Sequence, residues 1–217
     1  MNRLAIFDCD GTLVDSQATI CVAMEECFGE AGLAAPDRAA IRRVVGLSLP
    51  QVMEVLAPGQ DADRLAEGYK RCFQRMRAEG RVEEQLYAGI PEVLATLGAE
   101  GWLLGVATGK SDRGLRLVLE QHGLARTFVT LQTADRHPSK PHPSMIAQAM
   151  AEAGAAPGST VMIGDTSYDI LMAHNAHVRA IGVAWGYHAA DELLREGADA
   201  VALRPSDLPA LCTLETA

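Results

Sequence analysis

Aromatic residues are scarce in this chain, at 5% of its 217 positions. Its core must therefore rest on Ala, Leu, Val, Ile and Met, which are plentiful: 48% of the residues are hydrophobic. Long apolar runs are missing too. None approaches the ~18 residues that a spanning helix needs, so no membrane partner is expected. Leu4 to Phe7 runs straight into acid and is too short for a secretion signal. Basic residues are outnumbered, 19 Lys and Arg against 28 Asp and Glu. A net charge of −9 gives the surface no nucleic-acid footprint. It does not exclude an anionic ligand, because amide donors, one Lys and a metal ion can invert the field inside a pocket. The cysteines Cys9, Cys21, Cys27, Cys72 and Cys212 include no CxxC pair and are odd in number. Reduced, mostly buried thiols in a cytoplasmic protein are the expectation. The length suits one domain, or a core with a smaller insert.

Short apolar runs that end in a polar residue recur along the chain. Leu4 to Phe7 ends at Asp8, Trp102 to Ala107 at Thr108, and Thr160 to Ile163 at Gly164-Asp165. Phe128 to Leu131 is weaker, and Ala180 to Ala184 and Ala200 to Ala202 complete the strands. Helices are predicted between them: Ile90 to Leu97, Ser111 to His122, Pro143 to Ala153, Asp169 to Ala176 and Asp191 to Glu196. Such alternation predicts an α/β fold with a doubly wound parallel sheet. The stretch from Asp15 to Leu86 breaks the rhythm. It offers no convincing strand and four helical segments, Gln17 to Glu30, Asp37 to Val45, Leu49 to Leu56 and Ala62 to Ala78. The predicted organisation is a core of residues 1–14 and 87–217, with an all-helical insert of residues 15–86 after the first strand. Ligands of open parallel sheets bind outside the carboxyl ends of the strands. Asp8, Asp10, Thr108, Gly109 and Asp165 then converge, and the insert leaves the core beside them.

Residues 8–16 read Asp-Cys-Asp-Gly-Thr-Leu-Val-Asp-Ser. Two carboxylates just past a buried strand need compensation. A divalent cation provides it, and oxygen ligands select a hard ion such as Mg²⁺. A calcium loop does not fit, since its later acids and Glu are missing. Thr108 could hold an anion or cap the next helix. Lys140 could offset buried acid or be solvated. Asp165 and Asp169 could bind metal or serve the N-terminus of a helix.

The DxDGT run resembles the first motif of the haloacid dehalogenase-like (HAD) superfamily. Val106 to Gly109, Lys140 and the Gly164-Asp165-Thr-Ser-Tyr-Asp169 run resemble its second, third and fourth motifs, in order. The resemblance implies a Rossmann-like HAD core, with the insert acting as a cap of the phosphoglycolate phosphatase-like branch. It implies Asp8 as nucleophile, forming an aspartyl-phosphate, and Asp10 as general acid and base. Thr108, Gly109 and Lys140 would hold the phosphate. Mg²⁺ would be held by Asp8, Asp165 and the main-chain carbonyl of Asp10, with Asp169 supporting it. Asp10 distinguishes the chain from family members that cleave carbon–halogen or carbon–phosphorus bonds, which lack a carboxylate there. The implied substrate is a small phosphate monoester, with 2-phosphoglycolate the leading choice. A phosphosugar mutase, a pyrophosphatase, a nucleotidase and a non-catalytic binding protein are the alternatives. Arg43 could pair with a substrate carboxylate or be a solvated helix charge. The chain is expected to work as a monomer or weak homodimer.

Overall fold

The computed structural model describes residues 1–213. It begins with β1 (Asn2–Phe7) and β2 (Val14–Asp15). Four helices follow: α1 (Gln17–Glu30), α2 (Arg38–Val44), α3 (Leu49–Leu56) and α4 (Ala62–Ala78). After β3 (Gln85–Leu86) the chain alternates through α5 (Ile90–Ala99), β4 (Trp102–Thr108), α6 (Asp112–Gln121), β5 (Thr130–Thr133) and α7 (Ser144–Ala153). It continues through β6 (Ala155–Gly164), α8 (Ser167–Asn175), β7 (Arg179–Val183), α9 (Ala190–Arg195), β8 (Ala200–Ala202) and α10 (Leu208–Cys212).

Six strands form one sheet in the order β5-β4-β1-β6-β7-β8. Every pairing in it is parallel. β1 lies inside the sheet because both its faces are apolar. Ala5 and Phe7 face one cluster, packed by α5, α6 and α10; Leu4 and Ile6 face the other, packed by α7, α8 and α9. Alternate side chains leave a strand on opposite faces, so one apolar tetrapeptide anchors both layers. The architecture is thus an α/β, doubly wound core. Order reverses on either side of β1, which places the polar end of β1 at the crevice where such sheets bind ligands.

Helices α1 to α4 enclose an apolar cluster of their own, including Met24, Phe28, Ile41, Met53 and Cys72. Asp37 and Asp61 accept from the backbone N–H groups of Ala39 and Arg64, which fixes the starts of α2 and α4. Ser16, at the start of α1, does not cap it; its hydroxyl donates to Asp10 instead.

Three strand expectations need correction. The insert is not purely helical at its edges: β2 and β3 pair antiparallel, Val14 opposite Leu86 and Asp15 opposite Gln85. Strands of two residues carry no periodicity to read. β5 lies two residues later than the apolar run suggests. Its buried side chains include Thr130, Gln132 and Thr133, which satisfy one another and Glu152 and Asp112 rather than reading as hydrophobic. β6 starts at Ala155, before the Pro157-Gly158 pair that resembles a turn, and its register with β1 shifts there. Among the described residues no helix is long and apolar enough to cross a membrane. All five cysteines are free and buried.

Candidate active site

Asp8 follows β1, and its N–H continues the ladder to the Ile163 carbonyl at 2.9 Å. The chain then turns sharply at Gly11, whose φ is +85°. A Cβ there would lie 2.2 Å from Asp165 Oδ2 and 2.4 Å from the Tyr187 ring. Glycine therefore serves twice, supplying the turn and admitting Asp165 against the loop. Thr12 donates to Asp165 Oδ1 at 2.7 Å, and the Tyr187 N–H donates to Asp165 Oδ2 at 2.9 Å. Asp165 is thereby locked at the end of β6.

Asp8, Asp165 and Asp169 each offer an oxygen within 4.8 Å of the others, and all three are buried. Lys140, fully buried as well, lies 2.9 Å from Asp8 Oδ1 and 2.7 Å from Asp169 Oδ1. The bond to Asp169 has hydrogen-bond geometry. The approach to Asp8 is an ionic contact without it, so neither Asp8 oxygen accepts a hydrogen bond. Three carboxylates against one ammonium leave two uncompensated negative charges in a dry site. Burial pushes the Asp8 carboxyl up to about 7; Lys140 opposes the rise, while Asp169 and Asp10 add to it. Burial, with Asp8 and Asp169, also drives Asp165 well above the usual carboxylate range. Burial works against the charge of Lys140, but Asp169 and Asp8 outweigh it and raise its pKa. An orphaned carboxylate, a deficit of two positive charges and an oxygen-only donor set fit a hard divalent cation.

Asp169 serves in both of the roles its position suggested. Its Oδ1 takes the Lys140 bond, while Oδ2 accepts from the Thr166 N–H and hydroxyl at the start of α8. Both its oxygens are thus engaged. The carboxylate of Asp10 stands outside the group of three. It lies 2.9 Å from the Lys110 ammonium and accepts from Ser16. Lys110 in turn contacts Glu84 at 2.8 Å, and Glu84 also pairs with Arg77. Glu84 is fully buried just before β3. Burial alone would raise its pKa, but Lys110 and Arg77 outweigh that and lower it. Burial likewise opposes the charge of Lys110, yet Asp10 and Glu84 raise its pKa.

Thr108 is buried at the end of β4 and accepts from the Lys110 N–H at 3.2 Å. Gly109 meets the backbone of the helical insert: a Cβ there would sit 2.6 Å from the Leu47 carbonyl oxygen and 2.7 Å from that of Gly46. Asp8, Asp10, Thr108 and Gly109 line one cavity of about 170 Å³, whose other walls come largely from α1 to α4. Arg43 does not line it. Its guanidinium pairs with Glu192 of α9 at 2.6 Å, and its side chain is more than half exposed. Of the two readings left open for Arg43, its placement agrees with an exposed helix charge rather than a side chain facing the cavity. A core acid on the neighbouring α9 claims it, and the pair ties the insert to the core. Tyr168 donates to the Arg43 carbonyl at 3.2 Å, and the Ser48 N–H donates to Ser139 Oγ at 2.8 Å, beside Lys140.

Lys110, Glu84, Ser16 and Tyr187 belong to the site but do not stand out in the sequence. Lys110 could have been found, being two residues past Thr108 at a strand end. Glu84 carries no local signal, because only the return of the chain from α4 brings it to Lys110. The histidines flanking Lys140 position their loop: His137 contacts Ser144 and Gln132 at 2.7 and 2.8 Å, and His142 accepts from the Ser144 N–H. Cys9 packs in the core.

A buried carboxylate with free oxygens, an adjacent lysine and three acids whose donor set fits a cation, set at the ends of parallel strands, define a class. Such a centre can hold an anionic group and attack it in line. The family model for haloacid dehalogenase-like hydrolase matches residues 5–183. The probable phosphatase IndB of Dickeya dadantii is 38% identical over 202 residues, covering 89% of this chain and 86% of that protein. A phosphoglycolate phosphatase of Agrobacterium fabrum is 34% identical over 195 residues, covering 86% and 82%. Among solved structures, a haloacid dehalogenase-like hydrolase of Streptococcus pneumoniae superposes with a TM-score of 0.85 at 26% identity, covering 98% of this chain and 99% of that one. The chain belongs to the haloacid dehalogenase-like hydrolases.

Proposed function

We propose that this hydrolase is a Mg²⁺-dependent phosphatase that cleaves a small phosphate monoester through an aspartyl-phosphate on Asp8. One observation carries the reading. The two oxygens of Asp8 are buried without a hydrogen bond, beside Lys140 and within a group two positive charges short. A carboxylate so placed is desolvated and oriented, which is what a weak nucleophile needs. The names of the Dickeya and Agrobacterium relatives support phosphate ester chemistry.

Asp8 and Asp165 would hold Mg²⁺ together with the main-chain carbonyl of Asp10, with Asp169 supporting them through Lys140. When bound, the ion would supply positive charge that stabilises the phosphoryl group during transfer. Lys140 adds a second positive charge from a position fixed by Asp169, and the Thr108 hydroxyl orients the phosphoryl group. An Asp8 oxygen attacks phosphorus in line. The bond to the ester oxygen breaks, and Asp10, carrying the proton it took from water in the preceding turnover, gives it to the departing oxygen. Asp10 then accepts a proton from water as that water attacks the aspartyl-phosphate, releasing phosphate and restoring Asp8. Ser16 and Lys110 hold the Asp10 carboxylate in place for both steps.

2-Phosphoglycolate is the substrate that the Agrobacterium relative's name brings forward. Arg43, the side chain expected to take its carboxylate, is engaged by Glu192, so the choice of leaving group falls to the cavity itself. The five free, buried cysteines support a cytoplasmic setting. The test is phosphate release from acetyl phosphate with Mg²⁺ and after chelation, for the parent and Asp8→Asn. Release that needs Mg²⁺ and vanishes in Asp8→Asn is expected. Near-normal release by the variant would remove Asp8 as nucleophile.

A further inference from the structure

We propose that the ester taken by this site carries a compact apolar alcohol, alkyl or aromatic, rather than one bearing a carboxylate. The inference rests on the phosphatase reading and concerns only what leaves with the ester oxygen. Its basis is the cavity above Asp8 and Asp10. Ile41, Val45, Leu47, Leu49, Val52 and Phe73 face it from the helical insert, and Leu117 faces it from α6. Such a lining favours a group that brings no charge with it.

The cations around the cavity are already spoken for. Lys110 is shared between Asp10 and Glu84, and Arg77 is held by Glu84. Lys110 and Arg77 are thus each held by the buried Glu84 before any ligand arrives. Lys70 pairs with Glu67 at 2.7 Å. Arg113 is exposed, and a contact made there in solvent contributes little. A carboxylate one or two bonds from the ester oxygen would have to sit near Asp10, against aliphatic walls and a second acid. Burying it unpaired is strongly opposed. An apolar alcohol meets no such opposition and gains from every methylene removed from water.

Size sets the other limit. The cavity holds about 170 Å³, below the ~300–1,000 Å³ of sites for drug-sized ligands. Part of that space belongs to the phosphoryl group. The part of the alcohol that the cavity takes up is therefore compact, a short chain or a single ring.

The experiment is a series of ethyl, propyl, butyl and phenyl phosphates set against 2-phosphoglycolate, with Mg²⁺. In parallel, binding of the corresponding non-hydrolysable phosphonates is measured by calorimetry. The kcat/KM is expected to rise about fourfold per methylene until the chain fills the cavity, the increment of methylene burial. 2-Phosphoglycolate is expected at least tenfold below propyl phosphate. Leu49 and Leu117 are both half-buried, and Leu49→Gln and Leu117→Gln should flatten the series in hydrolysis and in binding. A flat series in the parent protein, or 2-phosphoglycolate outrunning the alkyl esters, overturns the proposal. Acetyl phosphate separates the two readings. If it too is not hydrolysed, the phosphatase reading fails, and the phosphonate affinities still decide the character of the cavity.

Discussion

Replacing Lys140 with Met keeps most of the side chain's volume and removes only its charge. The parent site sets three buried carboxylates against this one ammonium. In Lys140→Met, Asp169 Oδ1 loses its donor and Asp8 its counter-charge. Removing one partner of a buried ion pair costs about 3–5 kcal/mol. For a domain of this size each kcal/mol moves the melting temperature by about 2–4 °C, so a drop of roughly 10 °C is expected in metal-free buffer. Protonation of one carboxylate, which burial already favours at Asp8 and Asp165, recovers part of the loss. The variant's group is also more negative, so Mg²⁺ should bind its folded state more tightly than the parent's. Saturation at ~100 times the dissociation constant adds about 2.7 kcal/mol, and a given Mg²⁺ concentration should stabilise the variant more than the parent. The assay is urea unfolding of both proteins, with chelator and across a Mg²⁺ titration. A loss under about 1 kcal/mol, with no greater response to Mg²⁺, would refute the charge accounting on which the site's description rests.

Three further outcomes follow from the same structure. Glu84 is buried between Lys110 and Arg77, and its pKa is held below the usual carboxylate value. Between its folded pKa and about 4.5 the unfolded chain binds more protons, so stability rises with pH there. The contribution is complete above the unfolded value and is lost as pH falls through the folded one; Glu84→Gln should remove that part of the acid slope in urea midpoints. The same variant should cost about 3 kcal/mol at pH 7, because it leaves Lys110 and Arg77 underpaired. Gly109→Ala should lower kcat/KM by about 10²-fold and lower the melting temperature as well. Its methyl group must push the Gly46–Leu47 backbone off the strand end, and small misplacements cost that much. Arg43→Ala should change kcat/KM less than threefold on any ester and stability by under about 1 kcal/mol, as for an exposed ion pair. A selective loss on carboxylate-bearing esters would return Arg43 to the substrate.

What the sequence revealed and what it hid divide along a physical line. β1, β4 and β7 are apolar runs that end in polar or small residues, so period and punctuation locate them to within two residues. The helices of the insert were readable for the same reason, since Asp37 and Asp61 cap them and their apolar faces recur at helical spacing. Asp8, Thr108, Lys140 and Asp165 were readable because each lies at or beyond a strand end, and the topology brings those ends together. β5 was misplaced because its buried residues are polar and satisfied by long-range partners. Lys110 and Glu84 acquire meaning only from each other, across the return of the chain from the insert. The choice between the two readings of Arg43 was not legible, because its partner, Glu192, is far away in sequence.

The central claim is that the Asp8 carboxylate takes the phosphoryl group. Labelled acetyl phosphate, mixed with the Mg²⁺-loaded protein and quenched in acid within milliseconds, tests it directly. The account predicts label bound to protein, removable by hydroxylamine as an acyl phosphate is, located at Asp8 by peptide mapping and absent from Asp8→Asn. Steady phosphate release by the parent with no protein-bound label at any quench time, together with retained turnover in Asp8→Asn, would contradict it.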